Sequence, residues 1–223
     1  MSTARERILQ ATAELLATKA ALAISTRAIC DRAGVGMPEI YRQFGDKQGL
    51  LTAVADVGFE RFLANKRGNP LTGDPVADLR TAWDSHVAFA LRNPHLYRLM
   101  FTPAGDVWPQ GVKEAQALLL SAVGRCRDAG RLRTTPELAM QSILAANVGV
   151  CVMALSFAEL FGGLDISQSV RDAVIGKVTG DEREDTRVGT ATVLAQALVG
   201  TLTGSAPVDA AALDRLARAL RTD

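Results

Sequence analysis

Three cysteines, two histidines and 5% aromatic residues are a thin supply for a chain of 223 residues, and each scarcity excludes a class of protein. Cys30, Cys126 and Cys151 are odd in number, far apart and without a Cys-x-x-Cys spacing, which argues against a disulfide framework and a cysteine zinc site and fits a reducing compartment. The histidines, His86 and His95, form no His-Glu-x-x-His pattern, and there is neither a nucleophile elbow nor a phosphate-binding Gly-Lys loop. No catalytic residue, metal or cofactor is expected, so the chain does not read as an enzyme. Large rings and β-branched runs are too few for a sheet protein, whereas Ala and Leu recur throughout a chain that is 48% hydrophobic, which favours an all-α fold. Residues 1–19 alternate charged and apolar positions at helical spacing, unlike a signal peptide. The longest uncharged stretch, 142–158, contains Asn147, Gly149 and Ser156 and falls short of the roughly 20 strongly apolar residues of a membrane span. A helix buried on both sides is expected there, in a cytoplasmic protein that engages no membrane.

Charge is scarce in net terms as well. At +1 overall the chain is not built to hold nucleic acid by bulk electrostatics, but residues 1–50 carry seven basic against five acidic side chains, a small excess placed at one end. That end also holds the most informative stretch, Ser25 to Gly49. Thr26 is placed to cap a helix whose face carries Ile29, Cys30 and Ala33, and Gly34 suits the left-handed residue that stops it. Pro38 fits the first turn of a second short helix, with Ile40 and Phe44 as an i, i+4 anchor to the first. Met37, Glu39, Tyr41, Arg42 and Gln43 are left facing outward. Helix, Gly-marked turn and second helix form the unit that lays a reading helix into a major groove.

These residues resemble the tetracycline-repressor (TetR) family of bacterial transcriptional regulators. The resemblance runs from Ala4 to Val54. It is carried by Arg5-Glu-Arg-Ile-Leu-Gln-Ala-Thr-Ala-Glu-Leu-Leu16, by Ala33-Gly34-Val35, by Ile40-Tyr41-Arg42-Gln43-Phe44 and by Lys47-Gln48-Gly49-Leu50-Leu51. It implies phosphate contacts from Thr26, Tyr41 and Lys47 and base-edge positions for Arg27, Met37, Pro38 and Gln43, with Arg42 completing the DNA-binding set. The residue types suit those roles, since hydroxyls and an ammonium bind phosphate while Arg and Gln carry paired groups that read bases. Three departures stand out. Lys19-Ala-Ala-Leu-Ala23 replaces the usual glycine after the first helix, so that helix runs on or ends irregularly. Gly36 stands where Ser is common. Glu39 occupies a position often held by a small or hydroxyl residue, and its carboxylate would repel a phosphate unless it turned to a cytosine amino group or lay over the helix start.

Downstream, residues 51–223 are expected to form a helical regulatory and dimerisation domain behind a helix-turn-helix domain at 1–50. Asp46 caps a helix over 47–66; Asp74 and Pro75 open another to about 93, and Pro94 a short one to 101. Residues 102–108 form a loop, followed by a helix over 110–129 and a long apolar one from Thr135-Pro136 to 161. A polar or mixed connection then covers 162–185, and helices close the chain over 184–202 and 208–221. Ala145, Ala146 and Gly149, with Gly189, Ala191, Ala195 and Ala197, would let two late helices approach a second copy. Residues 86–101 resemble a C-terminal subgroup of the same family named for a Trp-His-Gly triplet, of which Asn147-Val148-Gly149 keeps the Gly alone.

Trp83, His86, Phe89, Tyr97, Met100, Phe101 and Trp108, with Asn147 and Cys151 facing them, mark a pocket for a small apolar or amphipathic effector, with His86, Tyr97 and Asn147 as polar anchors. The expected function is a homodimeric repressor of a double-stranded DNA operator, released by that effector. The alternative is a helical sensing or protein-interaction module that has lost DNA binding.

Overall fold

Helix starts in this chain are set by its capping residues. In the computed structural model, which describes residues 2–68, 70–102 and 109–181, Thr3 opens α1 (Ala4–Leu16) with a capping box: its hydroxyl accepts from the Glu6 amide at 3.2 Å and the Glu6 carboxylate accepts from the Thr3 amide at 2.8 Å. Ile8, Ala11, Thr12 and Leu16 form its buried face. The helix ends without a glycine and passes through a single 3-10 turn at Ala21–Ala23, the irregular exit expected of residues 19–23. Ser25, and not Thr26, caps α2 (Thr26–Ala33), accepting from the Ala28 amide at 3.2 Å. Either hydroxyl satisfies the sequence rule; the observed start simply lies one residue earlier, leaving Thr26 as the first helical residue. Gly34 stops α2 at φ 64°, and Gly36 heads α3 (Met37–Phe44) with no side-chain cap and Pro38 in its first turn.

Asp46 accepts from the Gly49 amide at 2.7 Å and starts α4 (Lys47–Arg67), which buries Leu50, Leu51 and Val54 near its start and Phe59, Phe62 and Leu63 further on. Its first part packs on α1 and α3, its second on α5 (Pro75–Arg92), α6 (Pro94–Phe101) and α7 (Gly111–Asp128). Two glycines permit this. A Cβ on Gly58 would stand 2.9 Å from Met100 Sδ, and one on Gly111 only 2.2 Å from Phe59 Cβ, so α6 and the start of α7 sit closer to α4 than any larger residue allows.

The helix expected to reach 161 stops earlier. α8 (Pro136–Ser156) ends at Phe157, a single turn α9 (Ala158–Phe161) follows, and the supposed polar connection is largely a helix, α10 (Leu164–Thr179), closed by Gly180 at φ 70°. Its polar side chains face inward. Arg171 is buried against Asp84 at 2.7 Å, Arg80 pairs with Asp172 at 3.1 Å, and the Trp83 indole N–H donates to Ser167 at 3.1 Å, fixing α10 across α5. Among the described residues all regular structure is helical. The ten α-helices above lie in one compact unit, Met1–Gly180. The expected helices over 184–202 and 208–221, and Trp108, lie outside the described residues.

Candidate nucleic-acid interface and inter-helix cavity

Ile40 is fully buried against α2 and α4, which turns the rest of α3 outward. Met37 is 44% and Tyr41 53% exposed, Arg27, Pro38 and Arg42 are exposed, and Thr26, Gln43 and Lys47 are half-buried at the edge of the same unit. A phenol, a guanidinium group and an amide are thereby presented on α3, with the Arg27 guanidinium at the start of α2 and the Lys47 ammonium at the start of α4 on the same unit. Glu39 does not lie over the helix start. Its carboxylate accepts from Arg42 at 2.6 and 3.0 Å and from the Gln43 amide at 2.9 Å, and these bonds hold it below the usual carboxylate range. Behind the reading helix, Arg5 stacks its guanidinium 4.8 Å from the Phe44 ring centre, and Arg7 donates to the Ala33 carbonyl at 3.2 Å.

A cavity of about 230 Å³ lies between α4, α5, α7 and α8. Leu79, Trp83, Phe101, Leu118, Leu119 and Ile143 supply much of its apolar wall. The polar groups are few. His86 Nε2 and the Tyr97 hydroxyl share a hydrogen bond of 2.9 Å, Asn147 donates weakly to the Trp83 carbonyl at 3.4 Å, and Arg125 pairs with Asp78 at 2.8 Å. Lys66, from the last turn of α4, donates to the Ala82 carbonyl at 2.9 Å and lies 4.9 Å from the Phe62 ring centre. Burial sets the protonation of this wall. It drives the His86 imidazole well below its ordinary value, helped by the Lys66 charge, and pushes the Tyr97 phenol up. Burial also lowers Lys66 to about 8 and raises the Cys151 thiol to about 11. Asp78 goes the other way: its burial is outweighed by the Thr72 and Arg125 hydrogen bonds, which hold the carboxylate low.

Residues 8–54, spanning α1 to the first turns of α4, match the family profile described as bacterial regulatory proteins, tetR family. Over these residues the chain is similar to that family. No curated relative matches the sequence significantly. Solved structures agree in fold at low identity. RolR in complex with its ligand resorcinol superposes with a TM-score of 0.66 at 21% identity, covering 81% of this chain and 91% of RolR. The fatty acid degradation regulator FadR from Bacillus halodurans gives 0.65 at 17%, covering 79% and 96%. A TetR transcriptional regulator from Rhodococcus sp. RHA1 gives 0.56 at 21%, covering 78% and 93%.

Of the nine pocket residues read from the sequence, Trp108 lies outside the described residues, and Trp83, His86, Phe101 and Asn147 line the cavity. Phe89, Tyr97, Met100 and Cys151 do not: Phe89 packs its ring 5.1 Å from Phe62, Tyr97 stacks at 4.6 Å on Phe101, Met100 is fully buried beside Gly58, and the Cys151 thiol points to Asn147. They buttress the lining instead of forming it. The sequence reading missed Lys66, Asp78 and Arg125, and with them the α7 wall of Ala115, Leu118, Leu119 and Ala122. The spacing of those four α7 residues, i, i+3, i+4 and i+7, was a usable signal for an inward face.

Proposed function

We propose that this chain is a homodimeric repressor of the tetR family that leaves its operator when a small apolar or amphipathic molecule fills the cavity. One observation carries the reading: α4 begins at Lys47 beside the reading helix and ends with Lys66 in the cavity wall. Its 21 residues span about 30 Å at 1.5 Å per residue, so a displacement at one end is delivered to the other by a single helix. The effector must bind the DNA-competent and released states unequally, since equal affinity would shift neither. That RolR, similar in fold, has been crystallised in complex with its ligand resorcinol supports a small-molecule effector.

A second copy is the natural cover for the apolar side of α8 and its neighbours. Met153 is exposed on α8, a helix of mean hydropathy 1.9 that is long and apolar enough by length and composition to cross a membrane, and Phe157, Leu160 on α9 and Leu164 at the start of α10 are exposed beyond its end. Exposure of that much apolar surface marks an interface, and a two-fold dimer would place two reading helices in half-sites roughly 34 Å apart. We assign Tyr41, Lys47 and Thr26 to phosphates, Arg27, Met37, Pro38 and Gln43 to base edges, and Arg42 to the rim of the same surface.

The test is selection of the purified full chain against randomised duplexes, followed by salt-titrated binding to the recovered site. A palindromic motif is expected. Lys47→Ala should weaken binding uniformly across sequences and flatten the salt slope by about one ion, and Tyr41→Phe should weaken it with little sequence bias. Failure to enrich any duplex at low ionic strength would overturn the reading in favour of a sensing or protein-interaction module.

A further inference from the structure

The cavity contains one ion pair that is closed on itself and one cation that is not. Asp78 is saturated, with Arg125 at 2.8 Å on one oxygen and the Thr72 amide and hydroxyl at 3.0 and 2.7 Å on the other. Lys66 has no carboxylate partner among the described residues. Its ammonium spends one of three donors on the Ala82 carbonyl and rests against the Phe62 ring. The other polar groups of the wall, Thr81, Ser121, His86 and Asn147, are neutral, so among the described residues the wall carries one uncompensated positive charge.

We propose that the cavity takes a compact molecule with an apolar body and one acidic oxygen group, a carboxylate or an acidic phenol, whose anion pairs with Lys66. This assignment rests on the reading above that the cavity is the effector site. Size limits the body. At about 230 Å³ the cavity is smaller than the roughly 300–1,000 Å³ typical of drug-sized ligands, which suits a body of one or two fused rings. Charge limits the head to a single anion, because Arg125 is already committed to Asp78. Desolvation explains why an anion is favoured over a neutral polar group: Lys66 titrates at about 8 in this wall, and a paired anion restores what burial took from the ammonium. Lys66 sits in the last turn of α4, so this pairing acts on the helix that begins at Lys47.

Calorimetric titration of the full chain with naphthalene-2-carboxylate and its neutral isostere naphthalene-2-carboxamide tests the assignment. The wild-type protein should bind the carboxylate roughly 10- to 100-fold tighter, the range for a charge-assisted hydrogen bond, and Lys66→Met should abolish that preference by weakening the carboxylate far more than the carboxamide. Independently of any variant, the Lys66 ε-methylene resonance should titrate near 8 in the free protein and move upward when the carboxylate saturates the site. Equal affinities in the wild type, a preference that survives Lys66→Met, or a Lys66 resonance that ignores the carboxylate would each overturn the assignment. Carboxamide binding without a carboxylate advantage would do so while sparing the effector-site reading; no binding of either probe at its solubility limit would overturn both.

Discussion

His86 is buried as a neutral imidazole among the rings of Phe62, Tyr97 and Phe101, and that burial makes the fold sensitive to acid in a way that can be calculated. In the unfolded chain the same imidazole titrates near its ordinary 6.5, whereas in the folded chain burial and the Lys66 charge hold its pKa well below that. Below 6.5 the unfolded state therefore binds one more proton. The stability that neutral His86 contributes is fully present above 6.5 and is lost as pH falls toward the folded value. The unfolded pKa alone bounds the loss between about pH 7 and pH 5 at roughly 2 kcal/mol for one proton. Urea unfolding at these two pH values, at constant protein concentration, should show a wild-type loss larger by up to that amount than the loss in His86→Gln, whose amide still meets the Tyr97 hydroxyl. Carboxylates held low by partners, such as Glu14, Asp78 and Asp172, also cost stability in acid, but they do so equally in both chains. Identical losses, or a native His86 resonance titrating near 6.5, would refute the argument.

At the reading helix, Glu39→Gln removes the carboxylate that holds Arg42 and Gln43, so operator binding should tighten, its salt slope should steepen by about one ion, and base preference should change at the position Gln43 reaches. An unaltered slope in salt-titrated isotherms would show that the Glu39 charge is not near a phosphate. Gly111→Ala drives a methyl to 2.2 Å from Phe59 Cβ and should destabilise the chain by about 1–3 kcal/mol in urea, the usual range for overpacking; an unshifted midpoint would mean that α7 moves freely off α4. Leu160, 77% exposed on α9, belongs to the surface assigned to the second copy. Leu160→Glu should shift sedimentation toward monomer and weaken operator binding at least about tenfold through lost bivalency, whereas an unchanged sedimentation coefficient would remove α9 from that interface.

Legibility followed the range of the interactions involved. The segment from α2 through the start of α4 could be read almost residue by residue, because its signals are local: Gly34 at positive φ, Pro38 in a first turn, Asp46 at a cap. The one slip there, Thr26 for Ser25, came from two adjacent hydroxyls that satisfy the same rule. α10 was missed because Ser167, Arg171 and Asp172 dilute its apolar period, and their inward orientation depends on Trp83, Asp84 and Arg80, some ninety residues away. α8 was drawn too long because residues 142–161 contain no proline or charged breaker until Glu159, whereas the observed stop is the non-helical backbone of Phe157. In the cavity, attention to aromatic and histidine residues found one wall and passed over the small α7 residues and Lys66, whose importance lies in what faces them.

Cys30, Cys126 and Cys151 are all buried and unpaired, and burial raises the pKa of each thiol. Alkylating reagents require the thiolate and access to it, so the folded native chain should be nearly inert to maleimides. A single cysteine engineered at an exposed position such as Arg27 or Glu60 would then be the dominant attachment point for a spin label or fluorophore, with no prior removal of native sulfur. In the proposed dimer, pulsed-resonance distances between labels at position 60 would report on the placement of one protomer's α4 relative to its partner's.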